Sequence, residues 1–175
     1  KGHEVIINGR PGDKSVKALQ EIKAKSGNSN IELITADLSS MDSVVELAEH
    51  IKVHYSDLKI LINNAGVVRS DRHETSNGFE ETFAVNHLSH FLLTKKLLEV
   101  LKENAPSRII NVSSMVHEGG KINFRDLHSK NSYDPYEVYA QSKLANVLFT
   151  KELANRLKGN EVTVKGPINN PYIVI

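Results

Sequence analysis

Five short apolar runs, each rich in β-branched residues, recur along the chain with segments of helical spacing set between them. They are Glu4–Asn8, Ile31–Ala36, Lys59–Asn63, Arg108–Val112 and Glu161–Lys165. This alternation constrains the fold more than any other feature. Strands that follow one another across a helix must pair parallel, through right-handed crossovers, because tight hairpins join only antiparallel neighbours. Runs such as Ile60-Leu61-Ile62 and Ile109-Ile110 are apolar at consecutive positions, as expected of strands covered on both faces. Met41–Tyr55 sets Val44, Leu47, Ala48, Ile51 and Tyr55 at helical spacing, behind the capping candidates Ser39 and Ser40. Phe79–Glu103 predicts a long helix that is apolar over much of its circumference. Tyr136–Lys158 predicts a third, with Leu144, Leu148, Phe149, Leu153 and Leu157 along one stripe. The pattern predicts a doubly wound α/β sheet.

A length of 175 residues suits one domain, for which roughly 150 residues is typical. No internal repeat, low-complexity tract or linker interrupts it. The 22 basic and 21 acidic residues leave a net charge of +1, without the basic field that nucleic-acid binding uses. With no cysteine, the chain has no disulfide framework, thiolate metal site or cysteine nucleophile. No apolar run reaches the length of about 18 residues that a membrane span needs. The chain starts Lys1-Gly2-His3 without a methionine, so its natural N-terminus is expected to lie upstream. A location in the cytoplasm, or on an intracellular membrane through a segment outside this sequence, is compatible with all of this.

Chemistry-bearing residues collect where the runs end, and in α/β sheets the carboxyl ends of the strands carry the ligands. Asn63-Asn64-Ala65-Gly66 closes the third run. Its small residues allow close approach of a flat ligand, although a plain turn would use the same residues. Asp37-Leu38 follows the second run and Arg10 the first. An acid at the end of the second strand of a dinucleotide-binding sheet selects NAD, and an arginine there accommodates the 2′-phosphate of NADP. Asn8-Gly9-Arg10 offers the arginine and no acid, so the reading leans to NADP over NAD. Asn111-Val112-Ser113-Ser114 ends the fourth run, where a serine can hold a substrate oxygen or simply cap a turn. Val116–Asp134 is polar and aperiodic, an extended loop before the last helix. Tyr139 and Lys143 stand four apart on one helical face, where an ammonium can lower the pKa of a phenol toward proton transfer. His50 and His54, and His87 and His90, are paired at helical spacing. Neither pair has a third ligand at a recognised spacing, so no metal site is expected.

The ordered set Asn63-Asn64-Ala65-Gly66, Asn86, Ser114, Tyr139 and Lys143 resembles the short-chain dehydrogenase/reductase family. Thr75–Glu80, Val85–Leu88, Ser107–Ser114 and Ser142–Thr150 look like its retinol-dehydrogenase-like branch, as does the span from Ser114 to Tyr139. The resemblance runs from about Gly2 to Val164. It implies a Rossmann-like sheet, with residues 1–175 as a single partial dinucleotide-binding and catalytic domain. It also implies NADP-dependent interconversion of a carbonyl and an alcohol, on a lipophilic substrate such as a retinoid or another aldehyde. Tyr139 would be the general acid/base, Lys143 its activator and the ligand of the nicotinamide ribose, Ser114 the holder of the substrate oxygen and Asn86 part of a proton relay. Asn63, Ala65 and Gly66 would lie beside the cofactor, Asp37 and Leu38 beside the adenine, and Arg10 near the 2′-phosphate. Helices 79–103 and 136–158 would build a homodimer interface.

Two departures from the family pattern shape the expected fold. The family's opening strand and its glycine-rich turn have no counterpart ahead of Gly2–Arg10, and Lys165-Gly166-Pro167 does not fit the Pro-Gly that follows the family's later strand. The sheet is therefore expected to be incomplete, with its first strand and its last strand and helices missing. An alternative for such a chain is a truncated, non-catalytic module of the same fold that binds proteins.

Overall fold

The structure, a computed structural model, describes residues 2–169. The chain runs β1 (Val5–Gly9), α1 (Asp13–Ser26), β2 (Ile31–Thr35), α2 (Met41–His54), β3 (Ile60–Asn63), α3 (Glu81–Phe83) and a π-helical turn (Ala84–Leu88). It continues through α4 (Ser89–Glu103), β4 (Ser107–Ser113), a 3-10 turn (Met115–Gly119), α5 (Pro135–Arg156) and β5 (Val162–Asn169). All pairings between these strands are parallel, in two hydrogen-bonded groups, β1-β2 and β3-β4-β5. The α/β alternation holds, and so does the cap of α2, where the Ser40 side chain accepts the Ser43 N–H. Asp134 caps α5 in the same way through the Glu137 N–H, with Pro135 in the first turn.

The expectation of an incomplete sheet is corrected. The described residues open on strand β1 and close on α5 and β5, so an N-terminal strand and a C-terminal helix and strand are present in the sheet. The closing strand is longer than its apolar run. Ile110 pairs with Lys165 and Val112 with Ile168, so β5 inserts one extra residue around Gly166-Pro167. Such a bulge accommodates a proline, which has no N–H to give to the ladder. Gly166 is needed there, since a Cβ would come within 2.9 Å of the Asn111 carbonyl oxygen.

Three further expectations change. Phe79–Glu103 is not one helix: α3, the π turn and α4 share it. Ile60 and Ile62 are 54% and 57% exposed, so β3 is covered on one face only, while Ile109 in β4 is fully buried. Helix α1 has no counterpart in the apolar pattern because none of its residues is buried. The core lies elsewhere. Val44, Leu47, Ala48 and Ile51 of α2 meet Leu93, Leu97 and Leu101 of α4, over Leu61, Ile109 and Val162 of the larger sheet. Among the described residues no helix is long and apolar enough to cross a membrane.

Candidate active site

Strand β4 delivers two serines to the sheet edge, and they face opposite ways, as the two-residue period of a strand requires. Ser113 is buried and donates to the Lys143 carbonyl at 3.0 Å, fastening β4 to α5. Ser114 is half-buried and begins the 3-10 turn, beside the Tyr139 phenol. Tyr139, Ser142, Lys143, Asn146 and Thr150 lie along one face of α5. The Lys143 ammonium stands 5.4 Å above the centre of the Tyr139 ring. Burial pushes the phenol above its ordinary value and the Ser114 hydroxyl pulls it partly back. Burial also lowers Lys143 to about 8. The structure thus places the lysine over the ring, while desolvation governs the phenol.

Asn86 sits in the π turn, fully buried, and its amide is wholly engaged. Oδ1 accepts the Val67 N–H at 2.7 Å, and Nδ2 donates to the Val67 carbonyl and to Ser142 Oγ, each at 3.0 Å. One side chain therefore ties the segment after β3 to α5. π turns of this kind insert one residue into a helix and recur at functional sites.

A cavity of about 540 Å³ opens between the ends of β1, β2 and β3. Arg10, Asp37, Leu38, Ala65 and Gly66 line it. Arg10 forms no ion pair among the described residues, whereas Asp37 Oδ1 accepts both the N–H and the hydroxyl of Ser39, at 2.9 and 2.8 Å. Asn63 is placed differently. It is buried, and its Nδ2 donates to Thr94 Oγ1 and Asn111 Oδ1, so its neighbour Asn64 reaches the cavity instead. Arg69 and Glu81 also face the cavity, paired with one another. Nothing in the sequence pattern pointed to that pair, because two ordinary surface residue types stand twelve positions apart.

Gly66 joins the cavity to the catalytic candidates. A Cβ there would lie 3.4 Å from both Asn86 Oδ1 and Lys143 Nζ. Lys143 Nζ is buried without a hydrogen-bond partner, and a buried ammonium requires one. A polyhydroxylated ligand such as a ribose, reaching along the cavity wall past Gly66, fits that need. The loop expected at 116–134 is compact. Gln141 takes the Asn123 N–H and donates to the Leu127 carbonyl, while the Tyr133 hydroxyl donates to the Arg69 carbonyl at 2.9 Å. No group of three or more metal-ligating side chains gathers among the described residues.

The sequence profile described as short chain dehydrogenase matches residues 1–172. The chain belongs to the short-chain dehydrogenase family. Within it the chain falls in the retinol-dehydrogenase-like branch: it is 47% identical to mouse (Mus musculus) retinol dehydrogenase 11 over 163 residues, 93% of this chain and 52% of that protein. The chain thus spans about half the length of the curated relatives it matches. Among solved structures, an uncharacterised protein from Mycobacterium paratuberculosis superposes with a TM-score of 0.75 at 37% identity, covering 91% of this chain and 56% of its own. RhlG of Pseudomonas aeruginosa, captured with NADP at its active site, gives 0.68 at 26% identity, covering 92% of this chain and 60% of its own.

Proposed function

We propose that the protein is an NADP(H)-dependent oxidoreductase that interconverts a carbonyl and an alcohol on a lipophilic substrate such as a retinoid or another aldehyde. The observation that carries this reading is the meeting of Ser114, Tyr139, Lys143 and Asn86 behind Gly66, the residue that separates Asn86 and Lys143 from a cavity lined by Arg10. The likeness to retinol dehydrogenase 11, and to a relative captured with NADP, supports it. NADP(H), when bound, supplies or takes the hydride. Arg10 receives the 2′-phosphate, and Asp37 and Leu38 border the adenine. Lys143 donates to the ribose hydroxyls through the ammonium that has no partner within the chain. Ser114 donates to the substrate oxygen. Tyr139, a phenol protonated at neutral pH whose ionisation burial makes harder still, gives that oxygen a proton in reduction. In the reverse direction the phenolate is the working form, so oxidation gains as pH rises. Turnover of long-chain and retinoid aldehydes with NADPH, set against NADH, tests the reading. Absence of turnover with both cofactors overturns it.

We read the outer faces of α4 and α5 as a homodimer surface. Phe91 and Leu148 are 45% and 48% exposed, and Phe91 meets Phe149 edge-on at 5.3 Å, so the two helices share one apolar patch. A second reading, a module that binds another protein, would use the same patch. Sedimentation separates them: a dimer supports the first, and a monomer that pairs only with a heterologous chain supports the second.

A further inference from the structure

Asn86 is held from two sides, and only one of them belongs to the catalytic candidates. Its side chain spans Val67 and Ser142, whereas its backbone carbonyl accepts a hydrogen bond from Asn146 Nδ2 at 2.8 Å. Asn146 is 1% exposed and lies one turn beyond Lys143 on the same face of α5. Its Oδ1 faces His87 Nδ1 at 2.9 Å. A carbonyl can only accept, so the nitrogen of the Asn146 amide must point to Asn86 and its oxygen to His87. His87 is therefore the donor, with its proton on Nδ1. Burial lowers its pKa and keeps it neutral, and Phe83, at a ring-centre distance of 5.3 Å, packs beside the imidazole. The result is a one-way chain: His87 to Asn146, Asn146 to the Asn86 carbonyl, the Asn86 amide to Ser142, and Ser142 Oγ to the Tyr139 carbonyl at 2.7 Å.

We infer that Asn146, oriented by His87, is a positioning residue for the Tyr139–Lys143 pair, acting through the Asn86 carbonyl. It sets the register of the π turn against α5 and so holds the lysine dry above the phenol. Both ends of the Asn86 residue are then fixed, one by the site and one by this amide. The inference draws on the oxidoreductase reading for its purpose, but its test does not need turnover.

The test follows the titration of the Lys143 amine by NMR and of the Tyr139 phenol by ultraviolet absorbance in the full chain, with Lys143→Arg and Tyr139→Phe to assign the signals. In Asn146→Ala, Lys143 is expected to move from about 8 toward the ordinary lysine value of about 10.4, and Tyr139 to fall toward its ordinary value. His87→Phe, which removes the donor, is expected to act in the same direction, and His87→Gln, which restores an N–H, to recover most of the wild-type titration. Thr150→Val removes two other buried hydrogen bonds, from Thr150 Oγ1 to the Asn146 carbonyl at 2.7 Å and from Asn111 Nδ2 to Thr150 Oγ1 at 2.9 Å, and serves as the control for lost stability alone. Unmoved titrations in Asn146→Ala and His87→Phe, or an equal shift in Thr150→Val at matched stability, overturn the inference. If wild-type protein turns over no carbonyl while these titrations shift as expected, the oxidoreductase reading fails and the positioning role stands.

Discussion

The two hydrogen-bonded groups of strands are built on different terms. In the β1–α1–β2 unit almost nothing is fully buried: α1 contributes no buried residue, and Val16 and Ile22 are 50% and 41% exposed. In the unit of β3, β4 and β5 with α4 and α5, the interior is both apolar and polar. Leu97, Leu101 and Ile109 are inaccessible, and so are Asn86, Ser142 and Lys143. The first unit offers its strand ends to a cavity, whereas the second commits its side chains to one another. Buried polar groups must be satisfied wherever they sit, and a network that satisfies them admits few alternative arrangements. Under the proposed function, ligand selection rests on the exposed unit and proton chemistry on the committed one.

Tyr139→Phe should break the chemistry of the second unit without loosening it. Carbonyl reduction with NADPH is expected to fall by about 10²–10⁴-fold, the usual worth of a positioned acid/base group, with an unchanged thermal midpoint. Next in size is stability itself. Leu97→Ala opens the α2–α4 core and is expected to cost about 2–5 kcal/mol in urea unfolding. Ile22→Ala in α1 should stay within about 0.5 kcal/mol, and equal effects at the two sites would erase the distinction between the units. Arg10→Ser addresses the exposed unit alone. It is expected to weaken NADPH binding by about ten- to a hundredfold, the worth of one charge-assisted contact, and to leave NADH binding unchanged, as read by fluorescence titration.

A smaller effect should appear with pH. Burial first, and the nearby Lys143 and His87 second, push His90 down to about 3, and neither of its ring nitrogens has a hydrogen-bond partner. Between that value and the ordinary histidine range near 6.5, the unfolded chain binds the proton and the folded chain does not. Stability is therefore full above the upper limit and is lost as pH falls through this window. His90→Leu should flatten the acid limb of a series of urea melts, and a slope identical to wild type would count against the burial described for this ring.

The alternation of strands and helices was legible because it rests on local spacing, whereas Ser114, Tyr139 and Lys143 were singled out through a resemblance to a family pattern and not by spacing alone. Helix α1 was not legible, because a helix without a buried face leaves no apolar period to read. The direction of the Asn63 amide was equally hidden: whether an asparagine at a strand end faces ligand or core depends on Thr94 and Asn111, which are 31 and 48 residues away. The spacing of Tyr139 and Lys143 suggested a phenol lowered by its neighbour, and the structure shows burial acting on both groups. Desolvation is a property of everything that surrounds a pair, and no pair of letters contains it. The extra residue in β5 escaped notice for a related reason, since Gly166-Pro167 resembles a stop until the facing strand is in view.

Gly66 limits how this protein can diverge. Its backbone is the cavity wall on one side and the near neighbour of an amide and an ammonium on the other, each 3.4 Å from where a Cβ would stand. A methyl group there would meet both at ordinary contact distance. A lineage that drifted toward a different ligand could recolour the wall at Arg10 or Asp37, one residue at a time, with the proton machinery untouched. At position 66 a Cβ would already touch Lys143 and Asn86, so a change there bears on both at once. The easier route to new ligands therefore runs through the strand ends of the exposed unit rather than through this residue.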